Sequence, residues 1–593
     1  MQPTIAQPTF LPTTPEELDR LGWQALDVVL VSGDAYIDAP HFGVAVVGRA
    51  LVAAGFRVGV IAQPDIQSGS DITRLGEPEL FWGVTAGSVD SMIANFTPSG
   101  RRRRSDDMTP GGLNNRRPDR AVLAYSHLIR RHFKQTRPIV LGGIEASLRR
   151  ISHYDAWSDK IRRSVLFDAK ADLLLYGMAD QTIVALARHL RDRIDPHALR
   201  GLCYISRDLP DPEPQLPEGD VLLPPHQVVA EDKQAFTQMF NQFFANADPF
   251  TAKRLVQQQD TRYLVHNPPA LPPTAEDLDQ VYALPYARAV HPRESSAGRV
   301  AALETIQFSV TTHRGCFGEC RFCAIAVHQG RRVISRSREA IVREVQDFTR
   351  HPDFKGIVSD VGGLTANMYA MGCGRNADRS ACTKKGCLYP ATCKQLVGDH
   401  QPQIELLRSL RDIPGIRKIF VASGVRYDLV IQDRRSGKAY LETLLRHHIS
   451  GQLKIAPEHI HDPLLKLMGK PGRQCLDDFV RLFEQLNRRL ETRQFLTYYF
   501  MAAHPGCTLD DMRRLREYAG RKLRLVPEQV QIFTPSPSTY ATLMYHTGMD
   551  PFSGQSLFVE RGVRQKIEQK AALVPNLSKT KKRRGPKGRR KDP

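Results

Sequence analysis

The sequence predicts an α/β protein with two parallel-sheet domains, a proline-rich connector and a basic tail. Three observations predict this organisation. The chain has 593 residues, which is more than one hydrophobic core usually holds. Short apolar runs alternate with helical spacing over residues 1–205, and a second alternation begins near residue 300. Apolar residues make up 41% of the chain and charged residues 25%, as is typical of globular proteins.

The first domain is assigned to residues 1–205. A run at 27–32, apolar between Asp27 and Ser32, is followed by a loop, a helical segment at 44–54 and a second mainly apolar run at 57–62. Two further apolar runs, at 138–143 and 171–177, end in glycine. Alternating strands and helices of this kind predict a parallel sheet covered on both faces, in a flavodoxin-like arrangement. The arginine-rich insertion between these runs is interpreted as a solvated loop.

The connector and the tail differ in composition from the two domains. Residues 206–299 contain two proline-rich segments around a helical stretch at 229–247, and we assign them to a stiff connector. Residues 572–593 include nine Lys or Arg side chains and one Asp, without apolar periodicity, so they are predicted to be disordered. The chain carries a net charge of +20, which predicts a polyanionic partner.

The second domain, residues 300–571, is predicted to be a partial (β/α)6 barrel of the TIM type. Six candidate strands alternate with helical segments, at 306–312, 356–360, 418–423, 452–456, 495–501 and 529–534. Barrels of this kind carry their sites at the carboxyl ends of the strands. We therefore expect the functional residues to follow these six runs directly.

The cysteines indicate metal rather than disulfides. No run approaches the ~20 apolar residues of a membrane span, and the first residues lack the pattern of a secretory signal. We therefore expect a cytoplasmic protein with no membrane partner, whose thiols stay reduced. Seven of the ten cysteines fall between Cys316 and Cys393, and clustering in a reducing compartment is typical of metal binding.

The strongest motif follows the first predicted barrel strand. Cys316, Cys320 and Cys323 are spaced Cys-x3-Cys-x2-Cys, with no fourth cysteine in register. A structural zinc site prefers four ligands, and a ferredoxin cluster uses one cysteine for each iron. Three cysteines on a short loop can instead hold three irons of a [4Fe–4S] cluster and leave the fourth iron open for catalysis.

This loop resembles the signature of the radical SAM superfamily, and the whole chain resembles its YgiQ-like branch. The segments 362–369 and 531–539 carry the closer resemblance. The resemblance implies a [4Fe–4S] cluster, S-adenosylmethionine bound to the open iron, and reductive cleavage to a 5′-deoxyadenosyl radical. It also implies a reducing electron donor of the flavodoxin or ferredoxin type. It assigns no substrate.

The resemblance extends to positions that follow the other strands. It implies that the backbone of Phe322 lies near the adenine and that Gly362 and Gly363 meet the amino group of S-adenosylmethionine. The glutamate that usually follows these glycines is Leu364 here, so only backbone contacts carry over. Arg426 and Glu458 are the residues implied to reach the ribose and the carboxylate of S-adenosylmethionine. Gly506 belongs to the turn implied to lie under the adenine.

Two further cofactor questions remain open in the sequence. Cys373, Cys382, Cys387 and Cys393 lie in an insertion after the second strand and are interpreted as a second iron–sulfur cluster or a zinc site, with free thiols as the alternative. The first domain resembles cobalamin-binding domains, whose ligand motif is Asp-x-His-x-x-Gly. Here Asp38 and His41 have the wrong spacing, so we expect no cobalamin.

For the substrate, modification of RNA or of a ribosomal component is the leading hypothesis, because of the charge and because the segment 533–539 resembles that of methylthiotransferases. The basic tail would contact the RNA. Two other classes remain open: a non-catalytic iron–sulfur or zinc protein that binds nucleic acid through its basic segments, and an electron-transfer module.

Overall fold

The first half of the chain forms one nine-stranded sheet. The computed structural model describes residues 7–211, 214, 216–217, 219–374 and 386–574. The strands of the sheet are β1 (Val28–Ser32), β2 (Val58–Ala62), β3 (Phe81–Thr85), β4 (Ile139–Leu141), β5 (Leu173–Leu175), β6 (Leu202–Ser206), β7 (Val221–Leu223), β8 (Leu255–Gln259) and β9 (Arg262–His266).

Five of these strands form a flavodoxin-like parallel sheet, which confirms the predicted fold class. They are ordered β2-β1-β3-β4-β5, so the chain leaves β1 towards one edge and returns to the other side at β3. Strand β1 is buried at every residue, as expected of a central parallel strand with helices on both faces. The covering helices are Pro15–Leu21, Gly43–Ala53, Ser70–Thr73, Ser91–Asn95, Ala121–His132, Gly143–Leu148, Val165–Ala169 and Asp180–Arg191.

Residues 206–299 differ from the predicted connector. Strands β8 and β9 form an antiparallel hairpin that pairs with β6 and so extends the sheet, and β7 adds to its edge. The hairpin forms because Leu255, Leu264 and Val265 are buried against the same core as β6. Its strands read as polar in the sequence because Gln257 and Gln259 are buried in hydrogen bonds to other side chains. The helices of this segment are His226–Glu231, Lys233–Ala245, Ala275–Tyr282 and Pro292–Ser295.

The second half forms the partial barrel that the alternating pattern predicts. Its parallel strands follow one another in chain order, and an isolated parallel bridge between Val425 and Ile455 joins the third to the fourth. The six strands are Ser309–Thr311, Ile357–Val358 continued by Asp360–Gly362, Lys418–Ile419, Gln452–Glu458, Phe495–Ala502 and Gln529–Ile532.

Helices alternate with these strands and cover the outside of the barrel. Helix Arg338–Phe348 begins where the Ser337 hydroxyl accepts the Ala340 N–H, and it buries Ile341 and Val345 on one face. The other helices are Leu303–Ile306, Ala324–Gln329, Gln401–Arg411, Tyr427–Gln432, Gly437–Thr443, Asp462–Met468, Arg473–Arg489, Leu509–Tyr518, Tyr540–Thr547 and Val563–Leu573. The last of these runs beyond residue 571, so helix continues into the first residues assigned to the tail. Residues 579–593, where the tail's charge lies, are outside the described residues.

The two halves share one continuous hydrophobic core. Polar contacts also join them: the Ser538 hydroxyl donates to the Leu148 carbonyl at 2.8 Å, and Arg288 of the 206–299 segment pairs with buried Glu344. The carboxyl ends of the two sets of strands face each other across this junction, because residues from both line one cavity. In the described part of the chain, no helix is long and apolar enough to cross a membrane.

Candidate functional site

The three-cysteine loop lies at the carboxyl end of the first barrel strand. It is closed at its base by a short antiparallel pairing of His313–Arg314 with Ile334–Ser335. Gly315 has a φ of +82°, and a Cβ atom there would lie 1.7 Å from the Arg332 carbonyl oxygen, so only glycine fits. The loop is therefore held in one narrow conformation before its first cysteine.

Hydrogen-bond donors surround the sulfur atoms of this loop. The Gly318 amide donates to Cys316 Sγ at 3.4 Å, and Arg426 Nη1 lies 3.6 Å from Cys320 Sγ. The Thr365 hydroxyl lies 3.7 Å from Cys316 Sγ. Burial raises the pKa of the Cys316 thiol, and it raises the pKa of Cys323 to about 11. These buried thiols therefore need bound cations, together with the donors around them, to exist as thiolates.

Four charged side chains are buried beside Cys320, and we call them the four-charge group: Arg426, Asp428, Glu458 and Lys470. Arg426 pairs with Asp428 at 2.6 Å, and Lys470 lies 3.8 Å from Glu458. Burial opposes ionisation of Asp428, but the Arg426 guanidinium holds the pKa of that carboxyl below its usual value. Two cations and two carboxylates in one buried site are complementary to a zwitterion.

Glu458 is the most unusual member of the four-charge group. Its φ is +68°, a conformation that costs energy for a residue with a side chain. Burial raises the pKa of Glu458 to about 6, although Lys470 and Arg426 act in the opposite direction. Strain and a perturbed pKa in the same residue, at the carboxyl end of a barrel strand, are typical of functional sites.

The predicted glycines fall in two different places. Gly362 and Gly363 line the cavity at the barrel mouth, and a Cβ atom on Gly363 would lie 2.5 Å from His313 Nε2. Gly506 has a φ of +89° and packs against Leu467, next to helix Asp462–Met468. Phe322 lies on the same side, with its ring 6.2 Å from that of His504.

The second group of cysteines is only partly described. Cys382 lies outside the described residues. The Cys393 amide donates to the Cys387 carbonyl at 2.8 Å, and Cys373 is exposed. Cys387 packs with Cys316 against a small apolar cluster that includes Phe317 and Met368, so the part of the insertion around Cys387 lies against the three-cysteine loop. Among the residues that the structure describes, no three His, Cys, Asp or Glu side chains are arranged to hold one metal ion.

The first domain holds the three-cysteine loop from the other side. Asp180, at the start of helix Asp180–Arg191, accepts two hydrogen bonds of 3.0 Å from Arg314, and Tyr282 contacts the same guanidinium. His328, in the helix that follows Cys323, lies 3.0 Å from the Ser147 hydroxyl. The loop is therefore enclosed between the domains.

A cavity of about 1030 Å³ lies between the two sets of strand ends, and we call it the interdomain chamber. Its barrel wall includes Gly362, Gly363, Ser423 and Lys454. Its other wall is built from the loops that follow β1, β3, β4 and β5, with Ser32, Thr85, Gly87, Gly142, Gly143 and Met178. A second cavity of about 160 Å³ is lined by Cys320 and Cys323.

Several residues of this site were not predicted from the sequence. Lys470, Asp428 and Asp180 were not predicted: Asp428 and Lys470 pair with Arg426 and Glu458, which were, and Asp180 is positioned by Arg314, 134 residues away in the chain. Lys454 lies in the same strand as Glu458, Gln452–Glu458, but four residues before its end, so the strand-end rule did not identify it. Arg426 was predicted as a cofactor contact, and the structure brings its guanidinium to Cys320 of the three-cysteine loop.

Comparisons with known proteins agree with this geometry. The model of the radical SAM N-terminal family matches residues 10–309, and that of the radical SAM superfamily matches residues 310–519. The UPF0313 protein FN0734 of Fusobacterium nucleatum is 52% identical over 563 residues, which cover 95% of this chain and 98% of that protein. A UPF0313 protein of Thermotoga petrophila is 45% identical over 568 residues, 95% of this chain and 98% of that protein.

Among solved structures, the radical S-adenosylmethionine methyltransferase TsrM of Kitasatospora setae, with tryptophan substrate and the analogue aza-SAM bound, has a TM-score of 0.50 at 15% identity. The match covers 92% of this chain and 89% of that chain. The same enzyme with cobalamin and a [4Fe–4S] cluster bound has a TM-score of 0.49 at 16% identity, and covers 86% of this chain and 72% of that chain. Likenesses this distant show the fold alone.

The fold and the three-cysteine loop define a radical SAM enzyme, whose cofactors are a [4Fe–4S] cluster and S-adenosylmethionine. Within that superfamily, the chain belongs to the family of the UPF0313 proteins. The predicted superfamily, its YgiQ-like branch and the enzyme class are therefore confirmed.

Proposed function

We propose that the protein holds its [4Fe–4S] cluster through Cys316, Cys320 and Cys323 and cleaves S-adenosylmethionine reductively to start radical chemistry on a substrate. One observation carries this proposal: the three-cysteine loop follows the first barrel strand, and hydrogen-bond donors surround its sulfurs. Three thiolates ligate three irons and leave one iron for S-adenosylmethionine. When bound, these cofactors supply a 5′-deoxyadenosyl radical that abstracts hydrogen from the substrate.

The chain's own residues bind the cofactors and orient them. Arg426 and the Gly318 amide stabilise negative charge on the cysteine sulfurs, because hydrogen bonds to cluster sulfurs offset that charge. The four-charge group receives the amino and carboxylate groups of S-adenosylmethionine, and Lys454 offers a further cation. Gly362 and Gly363 keep the barrel mouth open to the nucleoside. We propose Phe322 and Gly506 as contacts to the adenine.

The first domain excludes water from the reacting centre. The pair of Asp180 with Arg314 and the contact of Ser147 with His328 hold it against both ends of the three-cysteine loop. A closed site of this kind limits side reactions of a radical with solvent.

The test is anaerobic reconstitution with iron and sulfide, followed by addition of dithionite and S-adenosylmethionine. We expect 5′-deoxyadenosine by mass spectrometry from the unaltered protein and none from Cys320→Ala. Cys203→Ala, a buried cysteine of β6, is the matched control and should behave like the unaltered protein. If Cys320→Ala also behaves like the unaltered protein, the proposal is wrong. A non-catalytic metalloprotein that binds nucleic acid, or an electron-transfer module, then becomes the better hypothesis.

Two partners remain proposals. A flavodoxin- or ferredoxin-type protein is the proposed electron donor, for which dithionite substitutes in the test. RNA or the ribosome is the proposed partner of the basic segments, because of the net charge of +20.

We also keep the proposal that the first domain binds no cobalamin, which the likeness to a cobalamin enzyme does not confirm. Two contacts support it: Asp38 pairs with Arg49, and His41 Nε2 lies 3.0 Å from the Ser309 hydroxyl. Incubation with hydroxocobalamin followed by desalting should leave no cobalamin absorbance with the protein. One retained equivalent would overturn this proposal.

A further inference from the structure

The interdomain chamber is larger than the site that one nucleoside cofactor needs. Its barrel side carries Gly362, Gly363 and Lys454, three of the residues proposed above for S-adenosylmethionine. Its other side lies at the carboxyl ends of β1 and β3, where the strand order of the first sheet reverses. Ligands of doubly wound sheets bind at this switch point. Since a cavity for one small ligand can be as small as about 300 Å³, the 1030 Å³ of the chamber is large enough for a nucleoside together with a second small molecule.

The wall on the side of the first domain is smooth because glycines form it. A Cβ atom on Gly87 would lie 2.2 Å from the Asp34 carboxylate, and one on Gly143 would lie 2.3 Å from the Thr85 hydroxyl. Gly43 and Gly142 are different: a Cβ atom on Gly43 meets no atom within 4 Å, and one on Gly142 meets only the Leu175 carbonyl, at 3.8 Å. These two positions therefore face open space, and larger side chains there would project into it without strain.

Apart from Lys454, the Asp, Glu and Arg side chains that line the chamber already have ion-pair or hydrogen-bond partners. Asp34 pairs with buried Arg117, and Asp180 pairs with Arg314. On the barrel side, Asp360 accepts the Ala422 amide at 2.8 Å and also bonds the Ser423 hydroxyl. Burial, together with the nearby Arg288, lowers the pKa of His41 to about 4, so its imidazole is neutral near pH 7.

Little positive charge is therefore left for a phosphate chain. Among the described residues that line the chamber, Lys454 is the one cation without an ion-pair partner, and S-adenosylmethionine has a carboxylate for it. On the first-domain side, the Ser32 hydroxyl accepts the Asp34 amide and the Thr85 hydroxyl accepts the Gly87 amide. Each of these hydroxyls keeps its hydrogen to donate to an oxygen or nitrogen atom of a ligand.

We propose that the first-domain half of the interdomain chamber is the substrate site, and that the substrate is an uncharged small molecule rather than a phosphodiester chain. This inference rests on the proposed function and names its substrate class. The paired charges favour an uncharged molecule, because an unpaired charge brought into a buried site loses its hydration without compensation. Basic segments elsewhere on the protein can still contact RNA, outside the chamber.

The first test uses the neutral, flat dye Nile red as the probe. Its binding to the cluster-loaded protein is measured by the fluorescence of the dye. Gly142→Phe and Gly43→Phe should each weaken Nile red binding by about tenfold or more, since their rings occupy the space. Gly398→Phe is the matched control, because a Cβ atom on Gly398 would also meet no atom within 4 Å and Gly398 lies outside the chamber. Gly142→Ala should bind like the unaltered protein, which separates filling of the chamber from damage to the fold.

The second test compares ligand classes. Binding of Nile red should change by less than about twofold between roughly 50 and 500 mM KCl, because a neutral ligand is insensitive to screening. A polyadenylate of about 20 nucleotides should not displace the dye. In the turnover assay, the neutral fraction of a cell extract should raise 5′-deoxyadenosine formation above its basal rate, and total RNA should not. Gly142→Phe should lose this stimulation, and Gly398→Phe should keep it.

Displacement of the dye by polyadenylate, stimulation by RNA, or unchanged dye binding in both phenylalanine variants would each overturn the inference. If no 5′-deoxyadenosine forms in any assay, the proposed function itself fails, and the substrate role fails with it. The dye measurement does not depend on turnover, so it still decides whether the chamber takes an uncharged ligand.

Discussion

Asp180 and Arg314 join the two domains through a buried ion pair. Arg314 Nη1 lies 3.0 Å from both carboxylate oxygens, and each side chain is 6% exposed. Arg314 directly precedes Gly315 and Cys316, so this one contact connects the first helix after β5 to the start of the three-cysteine loop. The first domain is therefore part of the structure that positions the three-cysteine loop.

Asp180→Asn should destabilise the protein markedly, because it leaves the Arg314 guanidinium buried without a counter-charge. Removing one partner of a buried pair costs about 3–5 kcal/mol. Asp347→Asn, in the exposed pair with Arg350, is the control and should cost about 0–1 kcal/mol. Urea unfolding followed by circular dichroism measures both. Equal effects of the two variants would show that the interdomain pair contributes little.

Arg426→Met should alter the electronic environment of the cluster, because it removes the cation beside Cys320. Loss of a positively charged donor to a sulfur ligand lowers the reduction potential of an iron–sulfur cluster. We expect a more negative midpoint potential in an EPR-monitored redox titration and a higher KM for S-adenosylmethionine. Arg426→Lys should restore part of both effects.

Exposed Arg446, which pairs with Glu442, offers a control substitution to Met that should leave the potential unchanged. An unchanged potential in Arg426→Met would mean that its contact with Cys320 has no electrostatic consequence once the cluster is bound.

Glu458 should make stability depend on pH. Its pKa rises from 4.5 to about 6 in the folded state, so folding takes up a proton between these values. The stabilisation is complete below pH 4.5 and is lost as the pH rises through about 6, a change of about 2 kcal/mol for a shift of this size. The difference in unfolding free energy between the unaltered protein and Glu458→Gln should fall by this amount from pH 4.5 to 7.5. A difference that does not vary with pH would contradict the shifted pKa.

The second cysteine group should be visible in the metal content. One [4Fe–4S] cluster corresponds to about four iron atoms per chain and two clusters to about eight. Our interpretation of Cys373, Cys382, Cys387 and Cys393 as a second cluster expects about eight, falling to about four in Cys387→Ala. About four iron and one zinc would identify a zinc site instead. About four iron and no zinc in both proteins would leave these cysteines as thiols.

The basic tail should contribute to RNA binding through charge. Deletion of residues 579–593 should weaken RNA binding and reduce the dependence of the affinity on salt, since fewer counterions are released. Fluorescence anisotropy with a labelled single-stranded RNA at several KCl concentrations measures both. An unchanged salt dependence would show that other segments make the contact. The 5′-deoxyadenosine assay on the same deletion should be unaffected, because the tail is not part of the proposed site.

Much of the fold was predictable because it depends on short-range patterns. The apolar run of β1 and the six β/α units of the barrel were recognised from periodicity alone. The hairpin of β8 and β9 was missed because its strands carry buried glutamines, whose hydrogen-bond partners come from residues far away in the chain. Gln257, for example, is satisfied by Ser152 and by the Pro224 carbonyl.

The sequence by itself determined the class of protein, because the three-cysteine loop needs only local spacing to hold a cluster. It also predicted Gly363 and Arg426 as cofactor contacts, because each follows a predicted strand. Only the tertiary structure brought Arg426 to Cys320, paired Glu458 with Lys470, and placed the glycine loops of the first domain opposite the barrel mouth. Arg426 and Cys320, and the two sets of loops, are widely separated in the chain, and burial rather than local sequence decides which charges must meet. The net charge of +20 is the basis of the proposed RNA partner, whereas the paired charges of the interdomain chamber are the basis of the proposed uncharged substrate.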